Sequence, residues 1–150
     1  MKTLKLVSLF LFFASFSFAG NDADWQLYKS EKGVQVFYKK IQCELKSDPA
    51  YMDTNQELVV FKLVNTGNKK VTVSWIFDIW FGSTCRTCNF TKEQDNPYFY
   101  SFVLNPGQTI EGNCESTQKS GLMLFSSFYK KDPSKNNPMT KFDLRGFSVK

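Results

Sequence analysis

Residues 57–81, ELVVFKLVNTGNKKVTVSWIFDIWF, constrain the fold more than any other stretch of the chain. Two apolar runs flank Asn65-Thr-Gly-Asn68. In the second run Val71, Val73, Trp75, Phe77, Ile79 and Phe81 fall on one side of a period of two. Thr72, Ser74, Ile76, Asp78 and Trp80 fall on the other. Strict alternation is the signature of a strand with one face on a core, so the first set faces inward and the second outward. Gly67 and the asparagines tolerate the positive φ of a tight turn, which predicts that the two runs form a hairpin.

The rest of the chain continues in short strands. Residues 25–29 read as a lead-in strand, and Gly33 opens VQVFYKKIQC, where Val34, Val36 and Tyr38 alternate with polar or mixed positions. Residues 44–56 are polar, hold Pro49 and read as a loop. YFYSFVLNPGQTIEGNC predicts a second strand pair around Asn105-Pro-Gly107, where proline presets φ and glycine supplies a left-handed position. Residues 122–131 and 140–149 supply two more strands. No segment carries a capped 3.6-residue period. About seven strands separated by turn signals predict an all-β, antiparallel sandwich of the immunoglobulin or fibronectin III kind, as a single domain.

The domain begins after a leader. Lys2 and Lys5 precede an apolar stretch from Leu6 to Phe18, and Ser17-Phe-Ala19 places small residues where a signal peptidase reads them. The stretch is short of the roughly 20 residues a membrane span needs. Residues 1–19 therefore read as a secretory signal peptide, which leaves 20–150 as the mature, secreted or periplasmic domain. Nothing else in the chain is apolar enough to cross a membrane. Without Lys2 and Lys5 the basic residues number 17 against 14 acidic, a mild net charge of +3 with no dense basic stripe. Nucleic acid is not an expected partner.

Histidine is absent. That removes histidine-based nucleophilic triads and His-ligated zinc, so no enzyme activity, catalytic residue or cofactor is expected. The mature chain has four cysteines, Cys43, Cys85, Cys88 and Cys114. An even number in a small exported domain favours disulfides. With consecutive strands alternating in direction, all four reach the same pole. Three pairings exist, and the expectation is that Cys85 and Cys88 each bond outward, one to Cys43 and one to Cys114. The other notable pairing is Cys85–Cys88 with Cys43–Cys114. A four-thiolate zinc site would carry two CxxC halves where this chain has one, so no metal is expected. A redox-active CxxC usually opens a helix, whereas this one follows a strand.

Other features are weaker. Trp80, Tyr98 and Tyr100 form a possible ligand surface if they share an outward face with Ile76; the plainer reading buries both faces of the 70–82 strand, one under the sandwich and one under a loop such as 44–56 or the 130–140 segment. Asp78, amid the apolar strand, reads as an ordinary solvent-facing carboxylate. Asn89-Phe-Thr91 matches an N-glycosylation sequon.

SEKGVQVFYKK, FKLVNTGNKKVTVSW, Cys85-x-x-Cys88, LNPGQTIEGNC and TKFDLRGFSV together resemble short exported proteins of Bacteroidota bacteria whose function is unknown. The resemblance implies a bacterial export route and an immunoglobulin- or fibronectin-like sandwich, and it carries over no activity. The leading expectation is a non-enzymatic module that binds an envelope or extracellular protein or glycan. One alternative is a thiol-disulfide or zinc-thiolate protein using Cys85 and Cys88. Another is a carbohydrate-binding module using the exposed aromatics.

Overall fold

The computed structural model describes residues 24–44, 55–90, 96–116, 120–130 and 136–150. The leader 1–19 and most of the 44–56 loop lie outside the described residues. The described chain is all-β, with nine strands where about seven were expected. They are β1 (Gln26–Glu31), β2 (Val34–Glu44), β3 (Asn55–Asn65), β4 (Val71–Phe81), β5 (Thr84–Cys85), β6 (Phe99–Leu104), β7 (Thr109–Glu111), β8 (Met123–Phe128) and β9 (Met139–Val149). β5 is a two-residue piece that was not expected, and β7, the second member of the pair read around Pro106, is only three residues long.

The strands form two antiparallel sheets. Sheet A runs β1-β2-β3-β7 with β8 also on β3, and sheet B runs β5-β4-β6 with β9 on β4. β1 and β2 are a true hairpin: Lys32 (φ 46°) and Gly33 (φ 78°) both sit at positive φ, which matches the twist of the flanking strands.

The two hairpins expected around Asn65 and Pro106 are not hairpins. β3 lies in sheet A and β4 in sheet B, and the same division separates β6 from β7. Each turn is an arch that carries the chain across the core. The physical reason is β3 itself. It has β2 along one edge and β7 and β8 along the other, so β4 finds no place beside it. Gly67 is not at positive φ. The corner is held by Asn65, which is fully buried. Its Nδ2 donates to the carbonyls of Lys69 (2.8 Å), Leu104 (3.2 Å) and Asn105 (3.0 Å). Its Oδ1 accepts from the Gly67 N–H at 2.9 Å. One side chain thus fastens both arches at one end of the sandwich.

The inward set read from β4 holds. Val73, Trp75, Phe77 and Ile79 join Val34, Val36, Val59, Phe61, Leu63, Leu104 and Leu144 in one core between the sheets. Phe61 of sheet A meets Phe77 of sheet B, with ring centroids 5.1 Å apart. Fully burying such a side chain contributes about 1.5–3 kcal/mol. One flank is closed by Tyr28, Tyr38 and Phe142, and the Tyr28 hydroxyl donates to Asp143 Oδ1 at 2.6 Å.

Each central strand has one long partner and, on its other edge, two short pieces with a seam between them. On β3 the seam falls at Phe61, whose N–H donates to the Leu122 carbonyl and whose carbonyl accepts from Gly112 N–H, each at 2.9 Å. Gly112 is required there, because a Cβ would overlap the Leu122 carbonyl. On β4 the seam falls at Phe77–Ile79, between β6 and β5.

Candidate functional site

The β4 seam is filled by the loop that carries Cys85 and Cys88. Phe77 N–H donates to the Tyr98 carbonyl at 3.0 Å, and Arg86 N–H donates to the Ile79 carbonyl at 2.8 Å. The Thr87 hydroxyl does the rest: it accepts from Ile79 N–H (2.9 Å) and donates to the Phe77 carbonyl (2.8 Å). A side chain here completes a backbone ladder, and the polar groups of the seam are satisfied in the way buried groups require. Gly82, at φ 59°, makes the reversal that sends the chain back along β4.

Folding this loop back covers the outward face of β4. Ile76 and Asp78 are each only 6% exposed. For Ile76, burial of that face under a loop, the plainer reading, is the observed one. Asp78 is not the solvent-facing carboxylate expected. Its Oδ2 accepts from Arg145 Nε at 2.8 Å, and Arg145 also donates to the Phe90 carbonyl at 2.8 Å. Its Oδ1 is buried with no hydrogen-bond partner among the described residues.

Both disulfides form, but not in the pattern expected. Cys43 bonds Cys114, and Cys85 bonds Cys88. Parity explains the difference. Cys43 lies on the outer face of sheet A, packed with Leu58, Val60 and Met123 in a second small cluster. Cys85 and Cys88 lie beside Asp78, on the outer side of sheet B. The two sheets and their core stand between them, so outward bonds from the CxxC pair to Cys43 and Cys114 have no path.

One Asp78 carboxylate oxygen and the two sulfurs of Cys85 and Cys88 lie within 4.8 Å of one another. Cys88 N–H points at Cys85 Sγ, 3.1 Å away. Both cysteines are half-buried, whereas Cys43 is 1% exposed.

The aromatic residues picked out as a possible ligand surface do not share a face. Trp80 is on the outer side of β4, with Lys141 Nζ 4.5 Å from its ring centroid. Tyr100 pairs with Trp75 and turns inward onto Phe77. Burial pushes its phenol pKa up. Tyr98 packs on Phe90.

A recess the sequence did not reveal lies on the outer face of sheet A. It has a volume of about 630 Å³ and is lined by Gln35, Phe37, Lys62, Val64, Thr109 and Glu111 among others. Cross-strand register places these side by side: Gln35 faces Val64, Phe37 faces Lys62, and Lys62 and Val64 face Glu111 and Thr109. Phe37 and Val64 form a half-buried apolar floor. Lys62 Nζ lies 5.1 Å from the Phe37 ring centroid and 4.8 Å from that of Trp25. The alternation of Phe37 with Val36 and Tyr38 was the available signal, since it puts a phenylalanine on the outward side.

No helix among the described residues is long and apolar enough to cross a membrane. No family profile, no curated protein and no solved structure matches this chain, which is established as an all-β protein with two antiparallel sheets and two disulfides.

Proposed function

We propose that the chain is an exported, non-enzymatic β-sandwich of immunoglobulin- or fibronectin-like type that binds a protein partner at the bacterial cell envelope. The recess on the outer face of sheet A carries this reading. Its apolar floor, with the exposed Glu111 beside it, suits a peptide segment with an apolar anchor. The recess is built on β2, β3 and β7, so its shape is set by paired strands rather than by a loop. Two disulfides suit an oxidising compartment, and the lack of histidine suits binding rather than hydrolysis.

The test is capture of a partner from the envelope extract of the source cells by the disulfide-intact protein, compared with a Phe37→Glu, Val64→Glu double variant. Both substituted side chains are half-exposed, so the variant keeps the wild-type melting temperature to within a few degrees. Capture by wild type and its loss in the variant is the expected result. Equal capture by both, or no retained protein with either, overturns the reading.

A further inference from the structure

The Cys85–Cys88 bond has the surroundings of a bond meant to open. A structural staple closes a long stretch of chain, as Cys43–Cys114 does across 71 residues. Cys85–Cys88 spans a separation of only 3 and constrains the unfolded chain far less. The loop it closes is also held without it. Arg86 N–H and both hydrogen bonds of Thr87 tie the loop to β4 at Phe77 and Ile79. Breaking the S–S bond leaves those attachments in place, so the open and closed forms share one backbone.

The second observation is Asp78. A buried carboxylate oxygen without a partner is costly, because it has left water and gained nothing in return. In the disulfide form neither neighbouring sulfur has a proton to offer. In the dithiol form each does, and the carboxylate lies within 4.8 Å of both. Reduction thus places beside that carboxylate two thiol donors that the oxidised state lacks. The third observation is the Cys88 N–H, which points at Cys85 Sγ and favours negative charge on that sulfur.

From these we propose that Cys85–Cys88 is a reversible redox bond that passes to a dithiol of another exported protein, with Asp78 as the hydrogen-bond acceptor of the reduced pair. A thiolate of the partner attacks Cys88 Sγ and forms a mixed disulfide. The Cys85–Cys88 bond breaks, and its electron pair goes to Cys85 Sγ, where the Cys88 N–H holds the charge. The partner's second thiolate then attacks its own sulfur in the mixed disulfide and releases Cys88. The partner dithiol has lost two electrons and two protons and become a disulfide. Both electrons and both protons end on Cys85 and Cys88, and one S–H points at Asp78. Half-burial leaves Cys88 within reach of a partner.

Among the described residues, the charged groups around Asp78 are Arg145, which pairs with it, Asp143, its register partner on β9, Arg86 in the loop, and Lys141 over Trp80. None of them places a hydrogen-bond donor on Oδ1.

The experiment equilibrates the full-length oxidised protein in graded mixtures of reduced and oxidised glutathione, traps free thiols by alkylation and maps them. Cys85 and Cys88 are expected to open together, at a redox poise at least tenfold more oxidising in equilibrium constant than Cys43–Cys114 requires. The far-UV circular dichroism of the strands is expected to stay unchanged. Asp78→Asn, which keeps the shape but weakens the acceptor, is expected to move the balance about tenfold back toward the disulfide. It should also flatten the pH dependence of thiol alkylation. If Asp78→Asn fails to fold, the comparison of the two bonds in the wild-type protein decides alone. Opening of both bonds at the same poise, loss of strand signal when Cys85–Cys88 opens, or an Asp78→Asn balance equal to wild type overturns the proposal. So does tight uptake of one Zn²⁺ per reduced chain with exchange unaffected by Asp78→Asn, which assigns the cluster to metal.

Discussion

Replacing Asn65 tests how the two arches are held. Its side chain serves three carbonyls and one amide at the point where β3 leaves sheet A and β6 leaves sheet B. Asn65→Ala removes the donor at the Leu104 carbonyl, a buried bond, and leaving a buried group unsatisfied costs about 1–3 kcal/mol. The groups of Lys69, Asn105 and Gly67 are part-buried and regain some water, so each loses nearer the net value of an ordinary hydrogen bond, about 0.5–1.5 kcal/mol. Nδ2 has two protons for three carbonyls, so these losses overlap. The total is about 3–5 kcal/mol, a large part of the roughly 5–15 kcal/mol that holds a domain together. Asn65→Asp separates the hydrogen-bond account from simple loss of volume. It fits the same space and keeps an acceptor for Gly67 N–H, but it aims a carboxylate at three carbonyls. It is therefore expected to be at least as damaging as alanine. The assay is urea unfolding followed by tryptophan fluorescence at neutral pH with disulfides intact, read as the shift in midpoint at unchanged slope. An alanine cost below about 1 kcal/mol, or an aspartate variant clearly more stable than the alanine one, refutes the reasoning.

Two further expectations concern stability. Removing Cys43 and Cys114 together by alanine should cost about 4 kcal/mol in the chain-entropy view, and removing Cys85 and Cys88 together about 1–2 kcal/mol, measured by the same unfolding assay. Equal costs contradict the division of labour drawn between the two bonds. Burial, then the hydrogen bond to Asp143 and the charge of that carboxylate, pushes the Tyr28 phenol up to about 12. Above the ordinary tyrosine value the folded state retains a proton that the unfolded state has released. The contribution is therefore complete below about pH 10 and is lost as pH rises toward about 12. Unfolding midpoints at pH 8, 10 and 11 should fall more steeply for wild type than for Tyr28→Phe. Parallel curves contradict the assignment.

The strands were legible in the sequence, and their division between two sheets was not. The alternation over 71–81 fixes which side of β4 meets the core, because large aromatics fill every second position. Asn65–Asn68 and Asn105–Gly107 report only that the chain reverses. The same residues serve a hairpin within one sheet and an arch between two. The available signal was the near-continuous apolar run over 58–64, broken only by Lys62, which marks a strand covered on both faces. Cysteine pairing failed for a related reason. Strand direction gives the pole a cysteine reaches, whereas parity gives the face, and Cys43 shares the outward parity of Phe37 and Ile41. The burial of Asp78 depends on Arg145, 67 residues further along, and on a loop whose local sequence looks merely polar. The outward recess on sheet A needs β7 beside β3, 47 residues away along the chain, a pairing that no local signal announces.

The arches also set the order in which the molecule can be assembled. Among the described strands, β1, β2 and β3, and the short pair of β4 with β5, are neighbours both in the chain and in a sheet. β7 and β8 return to β3 after the chain has built most of the opposite layer, and β9 closes on β4 at the very end. Contacts so distant along the chain form only after long loops have closed, which places folding on the millisecond-to-second scale of β-sandwiches. Until then β3 and β4 each carry an open, strongly apolar edge. During synthesis this chain is most prone to aggregate before residues 122–149 arrive, and a truncation there exposes both central strands at once.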